Sequence, residues 1–169
     1  MRTFSKHLLI IALFTTSGSI ALGQGSTQTT KVEPILVQSQ GFIFLVPQSR
    51  NKLMAYSTIM NSWSHTEIAI EESSIPLLKI QPTVGNTLAA CQIGQELHAY
   101  SAKSGRWSKL RLPLPQDCKT SYSVSNNLIT AYVKTKTDTR IYVFGEQSTA
   151  WSGVDLATGE QAPIGEKQE

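Results

Sequence analysis

The chain has 169 residues, a length that allows one domain of ordinary size. Its formal net charge is +3, from 15 Lys and Arg against 12 Asp and Glu. Because the basic residues are scattered rather than clustered, the charge gives no argument for a nucleic-acid partner, and we expect none.

The N-terminus has the pattern of an export signal. Arg2 and Lys6 precede a short apolar run over residues 8–14, and Ala21 and Gly23 are small residues at the positions that a signal peptidase reads. This order predicts a signal peptide over residues 1–23 and a secreted or periplasmic protein. The run is shorter than the about 20 apolar residues that span a bilayer, so we expect no membrane contact after cleavage. An uncleaved anchor is the alternative.

The sequence of the mature chain predicts an all-β fold. Residues 24–33 are polar and rich in Ser and Thr, which predicts a disordered lead-in. From Pro34 onward, short apolar runs alternate with turn residues every 8–12 residues or so, a pattern typical of β-strands. The runs group into three repeats at about 34–77, 78–119 and 120–157, and a polar tail follows at 158–169.

Each repeat divides into four predicted strands. The strands fall at 35–39, 42–46, 52–57 and 63–70; at 78–84, 87–92, 96–101 and 106–112; and at 121–125, 128–134, 140–145 and 150–156. Three residue pairs follow the first strands: Gln40-Gly41, Gly85-Asn86 and Asn126-Asn127. These types accept positive φ, so we predict tight hairpin turns of the primed kinds.

Aromatic residues recur at a fixed step. Tyr56, Tyr100 and Phe144 are 44 residues apart, and so are Trp63, Trp107 and Trp151. The same step relates Ser64, Ser108 and Ser152, and also Leu53, Leu97 and Ile141. A four-stranded sheet of short strands cannot bury both faces alone. We therefore predict that three similar sheets stack and that these rings fill the space between them.

An aromatic that closes one strand, a small turn, and a tryptophan that opens the next resemble the blade of a kelch-like or quinoprotein-like β-propeller. The resemblance implies three four-stranded antiparallel blades over residues 34–157, with the six aromatics as structural repeat positions. The chain lacks the Gly-Gly pair that ends the second strand of a kelch blade. Val46-Pro47, Cys91-Gln92 and Val133-Lys134 stand there instead.

Three blades do not close a ring, since closed propellers have roughly 4–8. Two chains could complete a six-bladed ring, three blades could form an open arc that binds a partner, or the chain could be the remnant of a longer ancestor. We favour the arc or the remnant, because nothing in the sequence marks a self-complementary closing surface.

Few residues suggest chemistry. Export favours a disulfide between Cys91 and Cys118, and the alternative is a buried thiol and a separate exposed one. His65 and His98 lack metal-ligand spacing, and we predict that both lie on strand surfaces. Asp138, among threonines, predicts a solvated loop. We expect no metal, no cofactor and no catalytic residue.

We therefore expect an exported, non-catalytic binding or scaffolding module that meets a protein partner or a second copy of itself. The step from fold to role is an analogy, because propellers host many functions. The alternative is an enzyme, or the remnant of one, of the quinoprotein-like or glycan-active kind with acidic residues on its loops. A cleft with converging polar groups would favour the enzyme.

The signal-peptide assignment predicts the start of the exported protein. N-terminal sequencing of the protein from the exported fraction should begin at Gln24, which leaves 146 residues. Recovery of a chain that retains residues 1–23 would support the uncleaved anchor instead.

Overall fold

The computed structural model describes residues 32–68, 80–113, 116 and 118–164. The predicted signal peptide, nearly all of the lead-in, most of the link after the first repeat and the last five residues of the tail lie outside these ranges. Within them the regular structure is β-strand. No helix in these ranges is long and apolar enough to cross a membrane.

The strands form three four-stranded antiparallel sheets, and within each sheet they lie in chain order. Sheet 1 contains β1 (Ile35–Gln38), β2 (Phe42–Val46), β3 (Lys52–Ser57) and β4 (Ser62–Glu67). Sheet 2 contains β5 (Thr83–Val84), β6 (Leu88–Ile93), β7 (Glu96–Ser101) and β8 (Arg106–Arg111). Sheet 3 contains β9 (Lys119–Val124), β10 (Leu128–Lys134), β11 (Thr139–Gly145) and β12 (Ser152–Asp155). This confirms the predicted all-β, propeller-like architecture, and the sheets do not close a ring.

The prediction of positive φ at the three hairpin pairs is wrong. In the described ranges the left-handed conformation occurs elsewhere. Asn61 (φ 51°) and Gly105 (φ 66°), for example, end the turns that join the third and fourth strands of sheets 1 and 2. Gly85 has a different role. A Cβ atom built there would lie 2.3 Å from the carbonyl oxygen of Ser125. Glycine is therefore needed at this position so that sheets 2 and 3 can approach each other.

Alternating side chains build an apolar layer between each pair of neighbouring sheets. Between sheets 1 and 2 the buried residues are Phe42, Phe44, Val46, Leu53, Ala55, Ile68, Ile80, Ala89, Cys91, Ile93, Tyr100 and Ala102. Between sheets 2 and 3 they are Leu88, Ala90, Leu97, Ala99, Leu110, Leu112, Ile129, Ala131, Val133, Tyr142, Phe144, Trp151 and Ala162. Sheet 2 contributes to both layers, so it is covered on both faces, whereas in the described ranges sheets 1 and 3 each contribute to one layer.

Hydrogen bonds also join the sheets, and one of them recurs at both interfaces. The Ser57 hydroxyl of sheet 1 donates to the carbonyl oxygen of Ala102 at 2.6 Å. One step of 44 residues later, the Ser101 hydroxyl of sheet 2 donates to the carbonyl oxygen of Glu146. Two successive interfaces therefore use the same polar contact at the same place, which indicates that the sheets stack in the same way each time.

The repeated tryptophans should differ in their effect on stability because they differ in burial. Trp151 is 2% exposed, whereas Trp63 is 51% exposed. Trp151→Ala should lower the free energy of unfolding by about 3–5 kcal/mol, as large core truncations do. Trp63→Ala should lower it by about 1 kcal/mol or less. Urea denaturation followed by far-UV circular dichroism, at low protein concentration, measures both. Equal losses would contradict the difference in packing.

Candidate functional site

The structure places each pair of repeat aromatics side by side on neighbouring strands. Tyr56 lies opposite Trp63, and Tyr100 opposite Trp107, in the antiparallel register of the third and fourth strands. Their ring centroids are 5.4 and 4.9 Å apart, and those of Phe144 and Trp151 are 5.6 Å apart. The six residues thus occupy equivalent positions in three sheets.

In sheets 2 and 3 these pairs pack against the preceding sheet. Tyr100 contacts Phe42 edge-on with centroids 5.6 Å apart, and Trp107 contacts Phe44 in the same way at 5.7 Å. Phe144 and Trp151 are buried in the layer between sheets 2 and 3. Such edge-to-face contacts contribute about 0.5–1.5 kcal/mol beyond the burial of area. Each aromatic pair therefore holds its own sheet onto the one before it.

One indole also makes a polar contact across the interface. Nε1 of Trp107 donates to Oγ of Ser64 at 3.2 Å. Ser64 lies opposite Ala55, on the face of sheet 1 that turns toward sheet 2. Ser108 and Ser152 hold the equivalent positions in sheets 2 and 3. Ser64 thus offers an oxygen to the tryptophan of the next sheet, whereas Nε1 of Trp151 in sheet 3 has no hydrogen-bond partner among the described residues.

The first aromatic pair lies on a face of sheet 1 that no other described sheet covers. Antiparallel partners share a face of a sheet, so the register places Gln38, Ile43, Tyr56 and Trp63 in one row, and Leu36, Leu45, Met54 and His65 in the next. We call the six apolar residues of these rows the leading face; they are Leu36, Ile43, Leu45, Met54, Tyr56 and Trp63. Leu36 is 64% exposed and Trp63 51%.

Sheet 3, like sheet 1, has one face that no other described sheet covers. Side chains that alternate with its buried ones turn away from sheet 2, and we call them the trailing face; they are Leu128, Thr130, Tyr132, Ile141, Val143 and Val154. A depression of about 310 Å³ lies there, lined in part by Ile141, Val143, Ser152 and Val154. A cavity of about 150 Å³ accepts a benzene ring, so this one has room for a two-ring side chain.

The prediction that His98 lies on a strand surface is wrong, although His65 is exposed as expected. His98 is completely buried, because it stands in β7 of the sheet that is covered on both faces. Its Nε2 lies 3.3 Å from Oε2 of Glu96, and Nζ of Lys109 lies 3.2 Å from the same oxygen. The approach of Glu96 is not aligned as a hydrogen bond. Among the described residues neither imidazole nitrogen has a hydrogen-bond partner.

Burial determines the charge of this histidine. Loss of hydration and, to a smaller extent, the Lys109 ammonium lower the pKa of His98 to about 4, and Glu96 opposes them only in part. His98 is therefore neutral at neutral pH. Across the strand pair from it, Cys91 is also completely buried. Burial raises the pKa of the Cys91 thiol to about 12, so the thiolate that nucleophilic chemistry requires is not formed there.

The structure contains both cysteines as thiols. Cys91 belongs to the layer between sheets 1 and 2, whereas Cys118 packs against the layer between sheets 2 and 3. The two side chains thus lie on opposite sides of sheet 2. Sγ of Cys118 also lies 3.7 Å from the carbonyl oxygen of Pro113 and can donate to it. The structure does not bring together the two sulfur atoms of the predicted bridge.

The loop that carries Asp138 satisfies its own carboxylate. Oδ2 of Asp138 accepts a hydrogen bond from Nη2 of Arg140 at 2.6 Å, and Oδ1 accepts one from the Thr135 hydroxyl at 2.6 Å. A shallow depression of about 470 Å³ borders this loop. In the part of the chain that the structure describes, no three His, Cys, Asp or Glu side chains are grouped so that they could hold a metal ion.

No family model matches the chain, and no curated protein matches it.

Sequence reasoning missed the burial of His98 and did not identify which residues form the two uncovered faces. A signal for the first was present: β6, with the sequence LAACQI, is almost continuously apolar and not alternating. A short apolar run of this kind is consistent with a strand buried on both faces. The register that defines the faces needs the paired strands, and the sequence pattern alone does not give it.

The buried neutral histidine predicts a pH dependence of stability. The pKa of His98 is about 4 in the folded protein and about 6.5 when unfolded, so the unfolded chain binds more protons between these values. The free energy of unfolding should fall as the pH drops from about 6.5 to about 4, by up to about 3 kcal/mol. Urea denaturation at a series of pH values measures this.

A matched variant isolates the contribution of His98. Met54 holds the equivalent position in sheet 1, so His98→Met places a natural side chain of the repeat in the same kind of site. This variant should lose the His98 part of the pH slope, whereas His65→Gln at the exposed histidine should keep it. An unchanged slope in His98→Met would contradict the assignment.

Proposed function

We propose that this protein is an exported, non-catalytic binding or scaffolding module of kelch-like or quinoprotein-like blades, and that it binds a protein partner through the leading face. One observation carries the proposal. The Tyr56–Trp63 pair is of the same kind as two pairs that pack between sheets, yet Trp63 is half exposed and lies on a face that no other described sheet covers.

The composition of the leading face supports a protein contact. Protein interfaces are enriched in Tyr, Trp and Met and depleted of charge at their centre. Tyr56, Trp63 and Met54 stand together on this face, with Ile43 and Leu45 beside them. A contiguous apolar patch on a sheet face marks an interaction site more often than single exposed apolar residues do.

The enzyme alternative has weaker support. The side chains with the largest pKa shifts, His98 and Cys91, are sealed between sheets 1 and 2, where a substrate cannot reach them. The carboxylate of Asp138 faces a depression but is already held by Arg140 and Thr135. A general acid or base must reach the proton that it transfers, so neither place favours catalysis.

Site-specific photo-crosslinking tests the binding surface. A photoreactive phenylalanine analogue at position 63 should give discrete adducts when the protein is exported by its own cells and irradiated. The same analogue at Lys136, an exposed loop position of sheet 3, is the matched control and should give far fewer. Equal or absent adducts at position 63 would overturn the leading face as the binding surface.

A further inference from the structure

We infer that the partner of the leading face is the trailing face of a second copy of this chain, and that two such contacts close a ring of six sheets. The inference rests on the proposed function, because it names the occupant of the same face. It is carried by the register of the three sheets, which relates both uncovered faces to faces that are buried inside the chain.

Two positions of the leading face, Ile43 and Leu45, have buried equivalents in sheets 2 and 3. The first aromatic of each pair lies on the third strand and faces one residue of the second strand. That residue is Ile43 in sheet 1, Ala89 in sheet 2 and Ile129 in sheet 3. Ala89 and Ile129 are completely buried against the preceding sheet.

The next row repeats the relation. Leu45 corresponds to Cys91 and Ala131, and both of these are buried in the same way. The leading face is therefore the surface with which a sheet of this kind packs onto a predecessor.

The trailing face has the opposite relation. Ile141 and Val143 correspond to Leu97 and Ala99 of sheet 2, which are completely buried beneath sheet 3. Leu128 of the same face corresponds by register to Leu88, which is also buried there. The trailing face is thus the surface with which a sheet receives a successor. A successor carries a leading face, and the chain's own leading face is uncovered.

The contact can be specified to one atom pair. At the interface of sheets 1 and 2, Nε1 of Trp107 donates to Oγ of Ser64 on the sheet before it, whereas Nε1 of Trp151 has no hydrogen-bond partner among the described residues. Trp63 is the equivalent of Trp107, and Ser152, which lines the depression of the trailing face, is the equivalent of Ser64. In the assembled pair, the indole of Trp63 enters that depression and donates to Ser152 of the other copy.

One internal contact is not repeated between copies. The hydroxyls of Ser57 and Ser101 bond across the two interfaces within the chain, but the equivalent position in sheet 3 is Gly145, which has no hydroxyl. The contact between copies therefore has one hydrogen bond fewer at this place. We expect it to be weaker than the packing within the chain and to depend on protein concentration.

The ring follows from the count of sheets. A contact between two different faces continues from copy to copy and must either close or grow into an open chain. Two copies supply six sheets, which is within the about 4–8 of closed propellers. The residue pattern alone did not favour this arrangement, because the residues of each face can be identified only when the strand register is known.

Two variants test the arrangement, one for each face. Trp63→Glu places a charge on the leading face, and Val143→Glu places one on the trailing face. Sedimentation velocity of the mature chain should give the mass of two copies for the native sequence and of one copy for each variant. An equimolar mixture of the two variants should again give two copies, because the intact trailing face of one meets the intact leading face of the other.

Controls separate assembly from folding. Arg106→Glu, at an exposed position of sheet 2, should keep the mass of two copies. The variants should keep the far-UV circular dichroism of the native protein, since both positions lie on uncovered faces. Ser152→Ala should weaken self-association several-fold without abolishing it, which an unspecific apolar contact would not predict.

Other outcomes overturn the inference. A native chain that stays a single copy across the concentration range excludes the contact. Association that survives Val143→Glu but not Trp63→Glu shows pairing of two leading faces instead. Assemblies that grow without limit exclude the closed ring. If the crosslinks at position 63 join only other proteins, this inference fails while the proposed function stands; if position 63 gives none, both fail.

Discussion

The structure depends on the packing of an aromatic pair onto the sheet that precedes it. Tyr100 and Trp107 meet Phe42 and Phe44 in this way, and the next pair along the chain enters the layer between sheets 2 and 3. A sheet of four short strands must bury its apolar faces against other elements of the fold. Sheet 2 is therefore stable because both neighbours cover it, and the two outer sheets depend on it for their only covered face.

Much of this architecture could be predicted from the sequence because its signals are local or periodic. The step of 44 residues located the aromatic pairs, and the turn residues separated the strands. The prediction of positive φ in the hairpin turns was wrong for a physical reason. Gly85 appears in a turn, but it is needed because the carbonyl group of Ser125 comes close to its backbone, and only the packed sheets reveal that approach.

The candidate surface was harder to predict, since exposure is a property of the stack and not of any single repeat. Tyr56 and Trp63 have the same residue types and spacing as Tyr100 and Trp107, which pack between sheets 1 and 2. What differs is the absence of a described sheet before sheet 1. The burial of His98 has the same origin. A histidine on a strand was predicted to lie on the surface, but its strand belongs to the sheet that is covered on both faces.

The equivalence of the two internal interfaces has a consequence for how such a chain can change in length. Each sheet packs on its successor with one face and on its predecessor with the other. A duplicated middle repeat would therefore pack with the same two faces that sheet 2 already uses. Insertion or deletion of a whole repeat requires no new side chains at a boundary. Genetic duplication can therefore vary the size of the array in units of one sheet, while its two ends keep the same chemistry.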